Sequence, residues 1–335
     1  MSGAPALQSK VFTAAELTPP EWQSLVPAGP VRTFNPGLLR CGEQWLLAYR
    51  FVASDGRRRI GLCRLDAALQ VVSGSQIALS DELRVVAAGY PEVARGWFAD
   101  PRLYRFGERL FVYWNTGWHE PQNHQFIQEL EATSFRPIGC ARELRVRDFA
   151  RQQLEKNWTL FGSSPDAVFA VYSISPHKVL AGSLTGDGDV VFETVATASL
   201  PLGPYPACHG GLRGGTPPQR DGDSWLSFCH SVHDGADGYR YAAAAYRFRA
   251  DVPFTPTHAP ITPLPLHNPY GGQRIHAALN PAVGEVVYPC GAARVGDRWL
   301  VSHGINDEHC AISVVDDSAV TATLRPLEME TSEDR

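Results

Sequence analysis

The residue with the clearest chemical potential in this sequence is Asp100, in the stretch Ala99-Asp100-Pro101-Arg102. A carboxylate can donate or accept a proton as a general acid or base. It can also cap a turn or pair with Arg102, and this structural alternative stays open. A reaction that needs two carboxylates would also require a partner for Asp100. At the polar positions that recur along the chain, the only candidates are Asp307 and Glu155, and neither is a convincing partner.

Polar and aromatic residues recur around short apolar runs along the chain. The candidates for substrate binding are Asn35, Arg50, Arg102, Asn115, Lys156, Asn157, Trp158, His177, Thr216, His230, Tyr288 and Asp307. Neighbouring residues at the same recurring positions are Trp118, His119, Arg213, Arg240, His303 and Asn306. Amides, carboxylates and basic groups hydrogen-bond to hydroxyls, and the excess of basic groups also favours a phosphate. The set therefore indicates a sugar or sugar-phosphate site.

Each of these candidates also has a plainer interpretation. Arg50 and Lys156 could be ordinary surface cations, and His177 could be a turn residue after Pro176. His230 and His303 stand at matching places after a Trp-Leu pair, which could reflect packing at a strand end. Only a fold that brings distant segments together would make one pocket of these residues.

Repeated strand patterns supply such a fold. Runs rich in β-branched and aromatic residues alternate with Gly, Asp and Pro turns, and central strands begin at residues 45, 110, 168, 225 and 299. Five such units predict an all-β protein, a five-bladed β-propeller with a central active-site channel. The alternative is an all-β protein in which hairpins merely recur. The predicted organisation is an irregular N-terminal segment at 1–30, a single propeller at 31–320 and a C-terminal tail at 321–335.

Composition narrows the possible partners. The chain has 335 residues, is 44% hydrophobic and has a net charge of −5 with no basic block, so we expect no nucleic-acid partner. It has no apolar run of the roughly 20 residues that span a bilayer. The first residues lack the features of a signal peptide. Seven cysteines without a Cys-x-x-Cys pair predict free thiols and no metal site. We therefore expect a cytoplasmic protein, and the sequence leaves the oligomeric state open.

Several motifs in order resemble glycoside hydrolase family 130, which contains β-mannoside phosphorylases, β-mannosidases and related β-mannosyltransferases. The matching pieces span residues 31–316. They are Asn35-Pro36, Ala48-Tyr49-Arg50, Asp100-Pro101-Arg102, Glu155-Lys156-Asn157-Trp158 with Tyr172 and Pro176-His177, Gly214-Gly215-Thr216-Pro217, Val286-Val287-Tyr288-Pro289-Cys290-Gly291, and His303-Gly304-Ile305-Asn306-Asp307.

The resemblance implies that Asp100 is the general acid. The family often has Glu before this Asp, where this chain has Ala99. It also implies that basic residues hold phosphate, with Arg50, Lys156, His177 and His230 as candidates.

The chemistry that follows is the making or breaking of a β-mannosidic or similar bond with inversion. A phosphorylase needs one acid, because phosphate is already a nucleophile, whereas an inverting hydrolase needs a second carboxylate about 6.5–9.5 Å away. The basic residues favour a phosphorylase or glycosyltransferase, with inorganic phosphate or a sugar phosphate as co-substrate and no other cofactor. An inverting hydrolase and a sugar-binding propeller without catalysis remain alternatives, and the sugar, linkage and acceptor are open.

Overall fold

The structure is a computed structural model that describes residues 8–86, 90–117, 123–152, 155–235 and 238–328. The strands of the first half are β1 (Lys10–Phe12), β2 (Arg32–Cys41), β3 (Gln44–Val52), β4 (Arg58–Leu65), β5 (Ala99–Phe106), β6 (Arg109–Asn115), β7 (Gln125–Leu130), β8 (Pro137–Val146), β9 (Thr159–Ser164) and β10 (Ala167–Ser173). Those of the second half are β11 (His177–Gly182), β12 (Val190–Ala198), β13 (Gly211–Gly214), β14 (Gln219–Asp221), β15 (Ser224–Gly235), β16 (Gly238–Arg249), β17 (Pro256–Pro260), β18 (Val283–Val295), β19 (Arg298–Ile305), β20 (His309–Asp316) and β21 (Leu324–Pro326).

The α-helices of the described residues are short, with four to six residues each. They are α1 (Ala14–Leu17), α2 (Glu92–Gly96), α3 (Tyr205–His209) and α4 (Asp317–Ala322), with 3₁₀ turns at Pro20–Leu25 and Leu79–Asp81. Among the residues described, no helix has the length and apolar character needed to cross a membrane. Because strands form most of the regular structure of the described residues, the prediction of an all-β protein is confirmed.

The strands form antiparallel groups in chain order, as the sequence pattern predicts. These groups are β2-β3-β4, β5 to β8, β9 to β12, β13 to β17, and β18 to β20 with β1. Equivalent hairpins in four groups turn at Gly42, Gly107, Gly222 and Gly296, all with φ between 59° and 62°. Glycine adopts this left-handed conformation without a steric penalty, so the repeated Gly positions set the hairpins.

Apolar clusters lie between successive groups of strands. Leu46 and Val112 share one cluster between the first two groups, and the series continues around the fold. Leu47 and Leu300 share the cluster that joins the first group to the last. The groups therefore pack in a ring, with β2 against both β5 and β18 at its centre.

The hydrogen-bonded sheets do not coincide with the five groups of strands. Parallel pairs join β8 to β12 and β16 to β18, so the described strands form sheets of ten, eight and three strands. The number of five blades stays a prediction.

Short strands near both ends of the described chain pair with the strand groups. β1 pairs with β20, with Lys10 opposite Ile312, and β21 pairs with β17, with His258 opposite Pro326. An exposed strand edge has unpaired N–H and C=O groups, and a short added strand satisfies them. Strands of three residues have too little alternation to be recognised in a sequence. The limits of the single domain at 31–320 stay a prediction.

Close backbone contact at the centre of the ring yields a test. A Cβ atom at Gly214 would lie 2.0 Å from the carbonyl oxygen of Asn157, whereas a Cβ atom at Gly211 in the same strand would meet nothing within 4 Å. We expect Gly214→Ala to lower the free energy of unfolding by about 1–3 kcal/mol through overpacking. Thermal unfolding should show a lower Tm for this variant and little change for Gly211→Ala. Equal Tm values for the two variants would contradict the close approach.

Candidate active site

A cavity of about 350 Å³ opens where the first strands of the groups begin. It collects residues that are far apart in the sequence. The predicted candidates that line it are Asn35, Arg50, Asp100, Lys156, Asn157, His230, Tyr288 and Asp307. The repeat pattern thus brings most of the polar candidates to one place.

Asp100 is held by two side chains from the first group of strands. Asn35 Nδ2 donates to Asp100 Oδ1 at 2.7 Å, and Arg50 Nη1 donates to the same oxygen at 3.0 Å. The first contact joins the Asn-Pro motif of the first group to the Asp-Pro motif of the second. Both contacts fix the orientation of the carboxylate in the cavity.

Asn35 and Asp100 share an unusual backbone conformation. Their φ angles are 52° and 50°, both precede proline, and the strand register shifts at both sites. A left-handed residue before proline is disfavoured, and such strain persists where surrounding structure imposes it. The two irregular positions direct both side chains toward each other.

The charge state of Asp100 follows from its surroundings. Burial alone would raise its pKa, but Arg50 and Lys156, with the Asn35 hydrogen bond, outweigh burial and lower the pKa to about 2. Asp100 is therefore ionised at neutral pH in the unliganded protein.

The cavity is rich in cations. Arg58 and Arg213 line it together with Arg50 and Lys156. Burial lowers the pKa of Lys156, and the attraction of Asp100 does not compensate for it. Burial, with repulsion from Arg50, also lowers the pKa of Arg58 to about 10. Cations destabilised by burial and by one another gain stability when an anion enters.

A second carboxylate, Asp307, lines the same cavity. Burial and the nearby charge of Asp100 raise its pKa, despite the attraction of Arg50. The preceding Asn306 fixes this turn, because its Nδ2 donates to the carbonyl oxygens of Gly271 and Gln273 at 2.8 Å. The two carboxylates thus have opposite pKa shifts.

The other predicted carboxylate has a structural position. Glu155 is buried and does not line the cavity; its oxygens accept hydrogen bonds from Tyr172 Oη at 2.9 Å and from Arg151 Nε at 3.1 Å. These contacts anchor the segment that immediately precedes Lys156. Glu155 therefore positions the site rather than facing it.

Arg102 lies beneath the cavity. Its Nε donates to the Gly215 carbonyl oxygen at 2.6 Å, and its Nη2 donates to Tyr288 Oη at 3.1 Å. Tyr288 Oη donates in turn to Asn157 Oδ1 at 2.7 Å. Arg102 is fully buried and does not line the cavity. It orients the lining residue Tyr288 directly and the lining residue Asn157 through Tyr288.

His230 lines the cavity as a neutral ring. Burial and the charge of Arg213 hold its pKa well below the usual range. Its ring packs against Tyr288, with the ring centroids 4.5 Å apart, and stacks on Tyr241. It can exchange hydrogen bonds with a ligand, but it does not add a positive charge.

The remaining candidates lie outside the cavity. Trp158 packs against Phe192 in an apolar cluster. The Thr216 hydroxyl accepts a hydrogen bond from the Phe228 amide, and Asn115 Oδ1 accepts one from the Gly117 amide. These three side chains are buried and do not line the cavity, a difference that motif matching could not detect.

His177 also lies away from Asp100. It begins β11 and contacts the rings of Tyr246 and Phe248. Burial lowers its pKa to about 4, so it is neutral at physiological pH. The structure does not place it where it could bind a phosphate beside Asp100. Trp118 and His119 lie outside the described residues.

Sequence reasoning missed Arg58. It follows the turn Ser54-Asp55-Gly56-Arg57 and has the pattern of a solvated cation. In the structure its guanidinium lies 4.8 Å from the centre of the Trp97 ring, at the cavity wall. Arg58 begins β4, and successive residues of a strand point to opposite faces, so the sequence indicated only that Arg58 and Arg59 face different sides.

Comparison with known proteins finds similar folds among solved structures. No family model matches the chain, and no curated protein matches it. A solved structure of the β-1,2-mannobiose phosphorylase from Listeria innocua aligns with a TM-score of 0.60 and 15% identity, over 95% of this chain and 99% of that one.

Two further solved structures have related descriptions. One is described as "The GH130 family of mannoside phosphorylases contains glycoside hydrolases that target beta-1,2 mannosidic linkages in Candida mannan"; its TM-score is 0.57 and its identity 14%, over 90% of this chain and 87% of that one. The other is MPT-1, a GDP-Man-dependent mannosyltransferase from Leishmania mexicana, with a TM-score of 0.50 and 10% identity over 85% of each chain. The chain has the fold of these mannoside-active proteins, which confirms the resemblance at the level of fold.

The contacts of Asp100 yield a second test. Removal of the positive charge in Arg50→Gln should raise the pKa of Asp100, because burial is then less opposed. A carboxyl-carbon NMR titration should show this shift, and Arg57→Gln, which removes an exposed arginine, should not. An unchanged titration in Arg50→Gln would contradict the ion pair.

The same ion pair predicts a pH dependence of stability. The folded pKa of Asp100 is lower than the unfolded value of about 3.9. The ionised side chain therefore stabilises the native protein above that pH, and this contribution is lost as the pH falls through about 2. Thermal unfolding across this range should show a smaller loss in Arg50→Gln than in the unchanged protein, and an equal loss would argue against the assignment.

Proposed function

We propose that this protein is a carbohydrate-active enzyme that makes or breaks a β-mannosidic or similar bond, with Asp100 as the proton-transferring group. The observation that carries the proposal is the position of Asp100 among Arg50, Lys156, Arg58 and Arg213 in one cavity. Cations around a single well-held carboxylate suit a reaction in which phosphate, free or attached to a sugar, takes part. The fold shared with mannoside phosphorylases and a mannosyltransferase supports the same class of reaction.

The ionised state of Asp100 suits the synthetic direction directly. A carboxylate can accept the proton of an acceptor hydroxyl while the acceptor oxygen attacks the anomeric carbon of a sugar phosphate. The new C–O bond forms as the bond to phosphate breaks, and phosphate leaves with the bonding electrons. One displacement of this kind inverts the anomeric centre.

Phosphorolysis is the reverse reaction and needs Asp100 to be protonated. A bound phosphate would compete with Asp100 for Arg50 and Lys156, and its negative charge would raise the pKa of the carboxyl. Asp100 could then give its proton to the leaving oxygen while phosphate attacks the anomeric carbon. Phosphate binding and protonation of Asp100 would therefore be coupled.

A hydrolase is the second candidate, because Asp307 lines the same cavity. An inverting hydrolase needs a base that activates water opposite the acid. The raised pKa of Asp307 and the lowered pKa of Asp100 are opposite in direction to the shifts that this assignment of base and acid would favour. Hydrolysis with Asp100 as the acid and Asp307 as the base is therefore disfavoured, and the cations that line the cavity favour phosphate chemistry.

A product assay distinguishes these reactions. Manno-oligosaccharides would be incubated with the protein in the presence and absence of inorganic phosphate, and mannose 1-phosphate and GDP-mannose would be tested as donors with mannose as acceptor. We expect products that depend on phosphate or on a phosphorylated donor. Release of mannose in buffer without phosphate would favour the hydrolase. Saturable sugar binding without any product would indicate a binding protein that lacks catalysis.

The role of Asp100 has its own test. Asp100→Asn keeps the size of the side chain but removes proton transfer, so turnover should fall by about a hundred- to ten-thousand-fold. The matched control is Asp297→Asn, because Asp297 lies in an exposed hairpin turn. Circular dichroism should confirm that both variants fold. Near-normal turnover of Asp100→Asn would show that another group transfers the proton.

A further inference from the structure

A second cavity, of about 650 Å³, lies at the other end of the central strands. β2 contributes Asn35 to the Asp100 cavity and, farther along the strand, Leu39 and Arg40 to this lower cavity. β5 likewise contributes Asp100 to one and Arg105 to the other. Because each strand runs from one cavity toward the other, the two cavities open at opposite ends of the ring.

Close packing separates the two cavities, which share no lining residue among those described. A Cβ atom at Gly37 would lie 2.8 Å from the Pro101 carbonyl oxygen, and one at Gly291 would lie 2.2 Å from the Leu38 nitrogen. The buried guanidinium of Arg102 fills the same layer. A ligand in the lower cavity would therefore be isolated from the Asp100 site.

One wall of the lower cavity is aromatic. Phe161 lies against Trp225 and Phe254, with ring centroids 5.1 and 5.4 Å apart, and Phe169 lies 4.8 Å from Phe254. Phe169 and Trp225 are only partly buried, so they are available to a ligand. A volume of this size lined by aromatic rings is typical of small-molecule sites, and it suits a flat apolar group.

The same cavity is lined by three arginines and, among its described lining residues, by no carboxylate. Arg40 and Arg220 donate to the carbonyl oxygens of Gly42 and Gly222, and Arg105 donates to the Cys41 thiol. None of the three arginines is paired with a carboxylate among the described residues. Asp221, which follows Arg220 in the chain, uses both of its oxygens to pair with Arg247 and Arg294. The cavity therefore combines an apolar wall with positive charge that no carboxylate among its described lining residues neutralises.

We infer that the lower cavity binds a small organic anion with a flat apolar body, such as an aromatic carboxylate or sulfonate. The rings of Phe169 and Trp225 contact the body, and the guanidinium groups of Arg105 and Arg220 bind the anionic group. Arginine binds such oxyanions through paired, charge-assisted hydrogen bonds. This site is independent of the reaction proposed for the Asp100 cavity.

Fluorescence titration with anilinonaphthalene sulfonate, an aromatic sulfonate, tests this inference on the full chain. We expect one saturable site per chain. Arg105→Gln and Arg220→Gln should each weaken binding by about tenfold, because each removes a hydrogen-bond donor with its charge. Arg84→Gln removes an exposed arginine outside both cavities and should leave the affinity unchanged.

Two controls establish where the probe binds and to which state of the chain. Arg50→Gln removes a cation of the Asp100 cavity, so equal or greater weakening in this variant would place the probe there and overturn the inference. Thermal unfolding of every variant distinguishes binding by the native fold from binding by loosened chains. Absence of saturable binding, or unchanged affinity in both Arg105→Gln and Arg220→Gln, would also overturn it.

Discussion

The close approach of the first strands at the centre of the ring is the constraint on which the rest of the structure depends. Glycines at 37, 215 and 291 face backbone atoms at distances that leave no room for a side chain. Because the strands meet so closely, backbone atoms fill the centre of the ring at about the middle of these strands. In this layer the buried Arg102 donates hydrogen bonds to Gly215 and Tyr288. Polar residues on one side of the layer therefore form a pocket with a floor, in which charges are shielded from solvent.

That shielding explains why two aspartates in one pocket behave differently. Asp100 receives direct hydrogen bonds from Asn35 and Arg50, so the ionised form is favoured despite burial. For Asp307, burial and the charge of Asp100 outweigh the attraction of Arg50 and raise the pKa of the carboxyl. Environments that push the pKa values of neighbouring acids apart assign them different chemical roles. Four cations, Arg50, Arg58, Lys156 and Arg213, line the same pocket and make its electrostatic environment positive.

The sequence predicted the repeats well, because glycine turns and alternating strands are local features with local causes. It also identified Asn35, Asp100 and Asn157, whose positive φ angles mark places where the strands deviate and turn a polar side chain inward. It could not separate Lys156 from Trp158, two positions later, since a change in backbone direction between them decides which one meets the cavity. Arg58 was missed because its place at the cavity wall depends on contact with Trp97, which precedes β5 and is distant in the sequence. The pKa shifts of Asp100 and Asp307 depend on charged residues that are far away in the sequence, so the sequence could not predict them.

The pairing of β1 with β20 has a consequence for how the molecule forms. The residues that pair, Lys10 and Ile312, are about three hundred positions apart in the chain. A contact of such sequence separation carries a large entropic cost of loop closure and forms slowly compared with a hairpin. During synthesis, β1 emerges first but has no partner until the last group of strands is complete. Closure of the ring is therefore a late step in folding, and the edge of β20 is protected from pairing with other chains only when that step is finished.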